Sequence, residues 1–155
     1  ETVLNYLIFI IMSSGLAFVE TSFENIHMTY IKNNILIIRQ NGVADNIYKI
    51  KLSDQFVPSD IKKKYINEDD EEEEEEELHD PLSNFDIVNI INTNQSDEDN
   101  ISLQILCTSI LETLRFTDPQ LSSLMIQLPS KLFTDIENKH DRLMELLSYI
   151  NKLVI

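Results

Sequence analysis

Residues 26–52 read "IHMTYIKNNILIIRQNGVADNIYKIKL", and the reading of this stretch decides the fold. It opens with an alternation, Ile26, Met28 and Tyr30 against His27, Thr29 and Ile31. Successive side chains of a strand point to opposite faces, so a period of two predicts a strand over 26–31. Asn33-Asn34 predicts a two-residue hairpin turn, because Asn tolerates positive φ. "ILII" (35–38) is an unbroken apolar run, the pattern of a strand enclosed on both faces. The chain has only two glycines, and one of them, Gly42, follows Asn41. That pair predicts a turn or bulge joining two antiparallel strands. "DNIYKIKL" (45–52) then alternates Ile47, Lys49 and Lys51 against Tyr48, Ile50 and Leu52. One step back, "LAFVETSF" (16–23) sets Ala17, Val19 and Thr21 against Phe18 and Glu20. Residues 16–52 thus predict an antiparallel meander of four strands.

Forward of the meander the periodicity stops. Residues 53–84 hold Pro58, Pro81 and ten consecutive acidic residues, Glu68–Glu77. Like charges in a row repel and offer no apolar face, so nothing offsets the entropy of ordering them. A disordered acidic loop is expected over about 57–84. "FDIVNII" (85–91) resumes a strand. In "DNISLQILCTSILETLRF" (99–116), Leu103, Leu106, Cys107, Ile110 and Leu114 fall on one helical stripe, with Asp99 or Asn100 as N-cap and Pro119 as the stop. "LSSLMIQL" (121–128) reads as a strand ending at Pro129. Thr134 and Glu137 match a capping box ahead of a second stripe, Leu143, Leu146, Leu147, Ile150 and Leu153. The expected fold is α+β: an antiparallel sheet, the meander of four strands plus two later ones, with two packed helices. Residues 14–155 form one domain interrupted by the loop. Residues 1–13 are set apart as an apolar N-terminal extension, with an extra strand as the alternative. Its apolar part, 3–12, is about half the length a bilayer crossing needs, and no Lys or Arg precedes Lys32.

Charge narrows the function. The chain carries −15 from 12 basic and 27 acidic residues; outside the acidic run, 17 acidic residues meet 12 basic ones, a balance of −5. Nucleic-acid binding needs a clustered basic surface, and the one basic cluster, Lys62–Lys64, sits beside the acidic run. Cys107 is the single cysteine, so a reducing, cytoplasmic setting is expected, with the nucleus as a second; a buried thiol is expected there. His27, His79 and His140 have no metal-ligand spacing. There is no phosphate loop, nucleophile elbow or kinase signature. "DEDN" (97–100) lacks the glycine and the distal Glu of a calcium loop. No enzyme, cofactor, metal, nucleic acid or membrane is expected. What the sequence over-supplies is apolar strand surface. Either the two helices and the extension cover it, or a partner chain does.

The stretch 26–52, with an Ile-rich strand running into Gln40-Asn41-Gly42, resembles the opening meander of the third proteasome assembly chaperone family. "SLQILCTSILETLR" (102–115), "SSLMIQLP" (122–129) and "DRLMELLSYINKLV" (141–154) are similar to its long helix, following strand and closing helix. The resemblance covers about 16–56 and 85–154; the acidic insertion and Arg39 depart from it. It implies a non-enzymatic assembly chaperone that pairs with a related, fourth-member-type chaperone. That heterodimer holds an alpha subunit of the 20S proteasome during alpha-ring assembly. The pairing surface is expected at Ile35, Leu36, Ile37, Ile38, Gln40 and Gly42. Rival readings are a longin- or roadblock-like adaptor and an acidic chaperone for basic client proteins.

Overall fold

Alternate side chains of the two strands in "IHMTYIKNNILIIRQ" are swallowed completely. Met28, Leu36 and Ile38 have no exposed surface, and Ile26 has 1%. A computed structural model describes residues 9–13, 16–54, 81–93 and 96–154. It contains seven strands and two helices in α+β arrangement: β1 (Phe9–Ser13), β2 (Leu16–Phe23), β3 (Ile26–Ile31), β4 (Ile35–Gln40), β5 (Asn46–Leu52), β6 (Phe85–Ile91), α1 (Asp97–Thr117), β7 (Ser123–Leu128) and α2 (Lys139–Lys152). Of the loop expected over 57–84, the part to residue 80, acidic run included, lies outside the described residues. Pro81–Asn84 forms one turn of 3-10 helix, tied to the end of β5 by Ser53 N–H donating to the Asn84 carbonyl at 2.8 Å.

The strands form one sheet in the order β1-β2-β3-β4-β7-β5-β6. β1 to β4 run antiparallel in sequence, so Phe9–Ser13 supplies an edge strand ahead of the expected first one. The turns carry the strain: Glu24, Asn33 and Asn41 sit at φ 49°, 61° and 51°, and Gly42 at 78°. The turn after β3 spans three residues, because Ile31 pairs with Ile35.

At β4 the sheet departs from a simple meander. Asn41-Gly42 does close a tight turn, with Gln40 and Val43 exchanging both backbone hydrogen bonds at 3.0 Å. Beyond that single bridge the strands separate, and β7 inserts between them, parallel to β4 and antiparallel to β5. The turn is local chemistry. The insertion is long-range: Leu124, Ile126 and Leu128 are 2%, 0% and 0% exposed, and burying such a row favours the middle of the sheet over its edge.

Both helices cover one face. A single core cluster joins Leu103, Leu106, Cys107, Ile110 and Leu114 of α1 and Leu146 and Ile150 of α2 to the buried side chains of β3, β4, β5 and β7. At one end Phe23 stacks on Tyr149, ring centres 3.5 Å apart. The helix starts correct the sequence reading. α1 is capped by Ser96, whose hydroxyl accepts from Asp99 N–H at 3.4 Å. α2 begins at Lys139 under Asn138, which accepts from Asp141 N–H at 3.1 Å. Thr134 caps nothing: its hydroxyl donates to Asp99 at 3.0 Å, and the following Asp135, at φ 58°, bars a helix there.

Candidate functional site

The face of the sheet turned away from the helices is built from the same strands, offset by one residue. Register places Phe18, Ile31, Ile35, Met125, Lys49 and Val88 in one row across β2, β3, β4, β7, β5 and β6. The next row holds Glu20, Thr29, Ile37, Gln127, Ile47 and Ile91. None of these side chains belongs to the core cluster. Val88 and Ile91 are 56% and 46% exposed, and Ile35, Ile37, Ile47 and Met125 are half-buried. A contiguous apolar band of this kind is the usual mark of a protein contact surface.

The expected pairing residues divide by parity. Leu36 and Ile38 are enclosed beneath the helices at 0% exposure, so their side chains reach no surface. Ile35 and Ile37 lie on the open face. Gln40 ends β4 at the bridge to Val43, and Gly42 is exposed in the turn. The residues that sequence reasoning did not name as surface are Ile47, Val88, Ile91 and Met125. The alternation of 45–52 already set Ile47 with Lys49 and Lys51; the same test applied to 85–91 and 123–128 finds Val88 and Met125 once the buried parity is known, whereas Ile91, three residues on from Val88, reaches this face only through the register shift at Ile47/Tyr48.

Polar side chains border the band. The Arg39 guanidinium donates to the Thr29 hydroxyl at 3.5 Å, and Thr29 donates to Glu20 at 3.4 Å. Lys51 lies 3.9 Å from Asp86, both well exposed. Gln127 turns aside to donate to the Ala44 carbonyl at 2.8 Å.

Other clusters serve the fold. Asp45 accepts from Ser130 N–H at 2.7 Å and Ser130 Oγ at 2.8 Å, and Thr93 Oγ1 donates to it at 2.9 Å. Asn46 Oδ1 takes Thr93 N–H at 2.9 Å. This knot staples the segments after β4, β6 and β7. Partial burial alone would raise the Asp45 carboxyl, but the hydrogen bonds from Ser130 and Thr93 outweigh it and hold the group below its ordinary value. A carboxylate so stabilised is a poor base, and the hydroxyls around it are donors spent on it rather than activated nucleophiles. Burial pushes the Cys107 thiol well above its usual range, so no thiolate forms there. Burial also raises Glu112, beside a shallow groove lined by Thr113, Phe116, Thr117 and Asn151. A second groove of about 250 Å³ lies between Val19, Tyr30, Lys32 and Asp118. Among the described residues no three His, Cys, Asp or Glu side chains gather as a metal site, and no helix is long and apolar enough to cross a membrane.

No protein-family model matches the chain, and no curated protein matches it in sequence. Its fold does match a solved structure described as "Crystal Structure of a Novel Chaperone Complex for Yeast 20S Proteasome Assembly", with a TM-score of 0.55 and 18% identity, covering 96% of this chain and 96% of that one. At that identity the likeness carries the topology alone, and it does so over nearly the whole length of both chains.

Proposed function

We propose that this chain is a non-enzymatic assembly chaperone. It pairs through its open sheet face with a related small chaperone, and the pair holds an alpha subunit of the 20S proteasome while the alpha ring forms. The observation that carries the reading is the apolar band of Ile35, Ile37, Ile47, Met125, Val88 and Ile91, which neither helix nor any other described element covers, on a domain whose other face is already sealed by two helices. A sheet covered on one side only is half of a sandwich, and face-to-face packing at about 10 Å is the standard way to complete one. The fold shared with a yeast proteasome-assembly chaperone complex supports the partner class, and the resemblance of 26–52, 102–115, 122–129 and 141–154 supports the same one. A cytoplasmic or nuclear setting suits a single, fully buried thiol.

Affinity purification of the tagged full chain, followed by quantitative mass spectrometry, tests this. A second small chaperone and proteasome alpha subunits are the expected co-purifying proteins, and Ile37→Asp lowers both together while leaving the urea unfolding midpoint near that of the parent. Recovery of neither class, or of GTPase-complex components in their place, overturns the reading in favour of the adaptor.

A further inference from the structure

Asn41-Gly42 is the one place in the chain where an asparagine precedes a glycine; every other asparagine precedes a residue with a side chain. Both residues are exposed. A Cβ placed on Gly42 would meet nothing within 4 Å, so the Gly42 nitrogen is uncrowded. Among the described residues nothing pairs with the Gly42 N–H or with the side-chain amide of Asn41. These are the two groups that react when an asparagine cyclises: a backbone nitrogen and the side-chain carbonyl carbon before it. The closed turn holds them apart. Asn41 sits at φ 51°, and the left-handed region, with ψ at about +47°, places the next nitrogen on the far side of the Cα–C bond from Cβ. A five-membered ring needs that nitrogen and Cβ on the same side. What keeps the turn closed is slight: the two Gln40–Val43 hydrogen bonds at 3.0 Å, and one from Asn41 N–H to the Asn25 carbonyl at 2.9 Å. In an ordinary hairpin the next ladder pairs would reinforce them, but here β7 enters between the strands. Exposed backbone hydrogen bonds with few buried apolar contacts open at the low end of the stability range.

We propose that Asn41 is a site of self-modification gated by this turn. When the Gln40–Val43 bridge opens, the Gly42 nitrogen gives its proton to solvent and bonds to Cγ of Asn41. The Cγ–Nδ2 bond breaks, ammonia leaves, and a cyclic imide joins the two residues. Water then adds to one of the two imide carbonyls and breaks the ring C–N bond there. Addition at the main-chain carbonyl gives isoaspartate, whose backbone runs through Cβ and Cγ; addition at Cγ gives aspartate. No electrons change hands, and water is the sole co-reactant. Either product adds one carboxylate, which takes the chain from −15 to −16. Isoaspartate also lengthens the backbone by one carbon, so the turn no longer fits the Gln40–Val43 bridge and the end of β4 stays open. This chemistry belongs to the turn and is independent of what the chain binds.

Peptide mapping of the full chain held at neutral pH, native and in urea, tests this, with isoaspartate read by enzymatic methylation. Conversion is expected at Asn41 in both states. It is slower in the native chain, by the factor that hydrogen exchange gives for closure of the Gln40 and Val43 amides. In urea, where the turn imposes no strain, Gly42→Ala is expected to slow conversion several-fold, because its Cβ crowds the attacking nitrogen. Val43→Pro removes one bridge donor at a residue 51% exposed. It is expected to speed native conversion roughly twofold to tenfold, with a urea midpoint near that of the parent. Should that midpoint fall, the match between deamidation and amide exchange in the parent decides alone. The converted chain is expected to lose protection at the Gln40 and Val43 amides. Conversion in urea with none in the native chain, equal rates in the two states, or an equal rate at another asparagine overturns the gated site. So does a folded Val43→Pro chain that converts no faster than the parent.

Discussion

Ile37 and Ile38 are neighbours in the chain and stand on opposite sides of the same sheet. Ile38 has no exposed surface and is packed beneath the helices; Ile37 is half-buried and lies outside the core cluster. The whole sheet repeats that contrast. Leu36, Ile38, Tyr48, Ile50 and Ile126 at 0% exposure hold the domain together. Ile35, Ile37, Ile47 and Met125 are of the same chemical kind and contribute less to folding, because part of their area remains in water. One face holds the fold together, and the other is the face proposed for recognition. The difference lies in which side two helices happen to occupy.

The largest expected effect breaks this contrast directly. Ile38→Ala should destabilise by about 2–5 kcal/mol, since it removes buried methyl groups and leaves a cavity, while Ile37→Ala should cost less, about 1–2 kcal/mol, because part of its side chain already stands in water. Urea unfolding of the two variants measures both; equal losses would mean that the faces are not distinct. Next in size, Tyr48→Phe removes the 2.6 Å hydrogen bond that ties β5 to Asn100 in the first turn of α1. Asn100 then loses its donor, and the expected cost is about 1–2 kcal/mol.

A third test sharpens the boundary between the faces, where the Asp45 knot ties three loops together. The Asp45 carboxyl is held below its ordinary value in the folded chain. Its contribution is therefore present above about pH 4, the unfolded value, and is lost as pH falls through the folded one. Asp45→Asn should flatten the acid limb of the stability–pH curve below about pH 4, and a parent and variant with parallel acid limbs would contradict it. The smallest effect belongs to the turn between β2 and β3. Glu24 sits at φ 49°, a region that disfavours side chains with a Cβ, so Glu24→Gly should raise stability by roughly 0.5–1 kcal/mol, read as a shifted urea midpoint.

Much of the sheet was legible from the chain. The strand at 85–91, the alternation that buries Ile26, Met28 and Tyr30, and the α1 stripe through Cys107 all follow from periods of two and 3.6 residues, which local sequence carries. The Asn41-Gly42 turn was legible for the same reason, since positive φ is a local demand. The helix caps were harder. Ser96 and Asn138 compete with several Asn, Asp and Thr residues nearby, and the choice among them depends on where the helix axis must lie to reach the core, not on the capping residue alone. The open face was the least legible part. "ILII" reads as enclosed on both sides, and only the placement of the helices reveals that Ile35 and Ile37 lie on the side away from both of them.

By itself the sequence determined the α+β class, the spans of β2 to β7 to within a residue or two, the stripe of α1 and the alternation of β3 and β5. Each of these is written in residues close along the chain. The tertiary structure alone decided that β7 enters between β4 and β5, and that both helices settle on the same side. It thereby brought Ile35, Ile47, Val88 and Met125 into one band, with Lys49 between Met125 and Val88. Those relations join residues up to 90 positions apart, and no local period encodes them; they follow from burying the largest apolar area that one sheet and two helices can share.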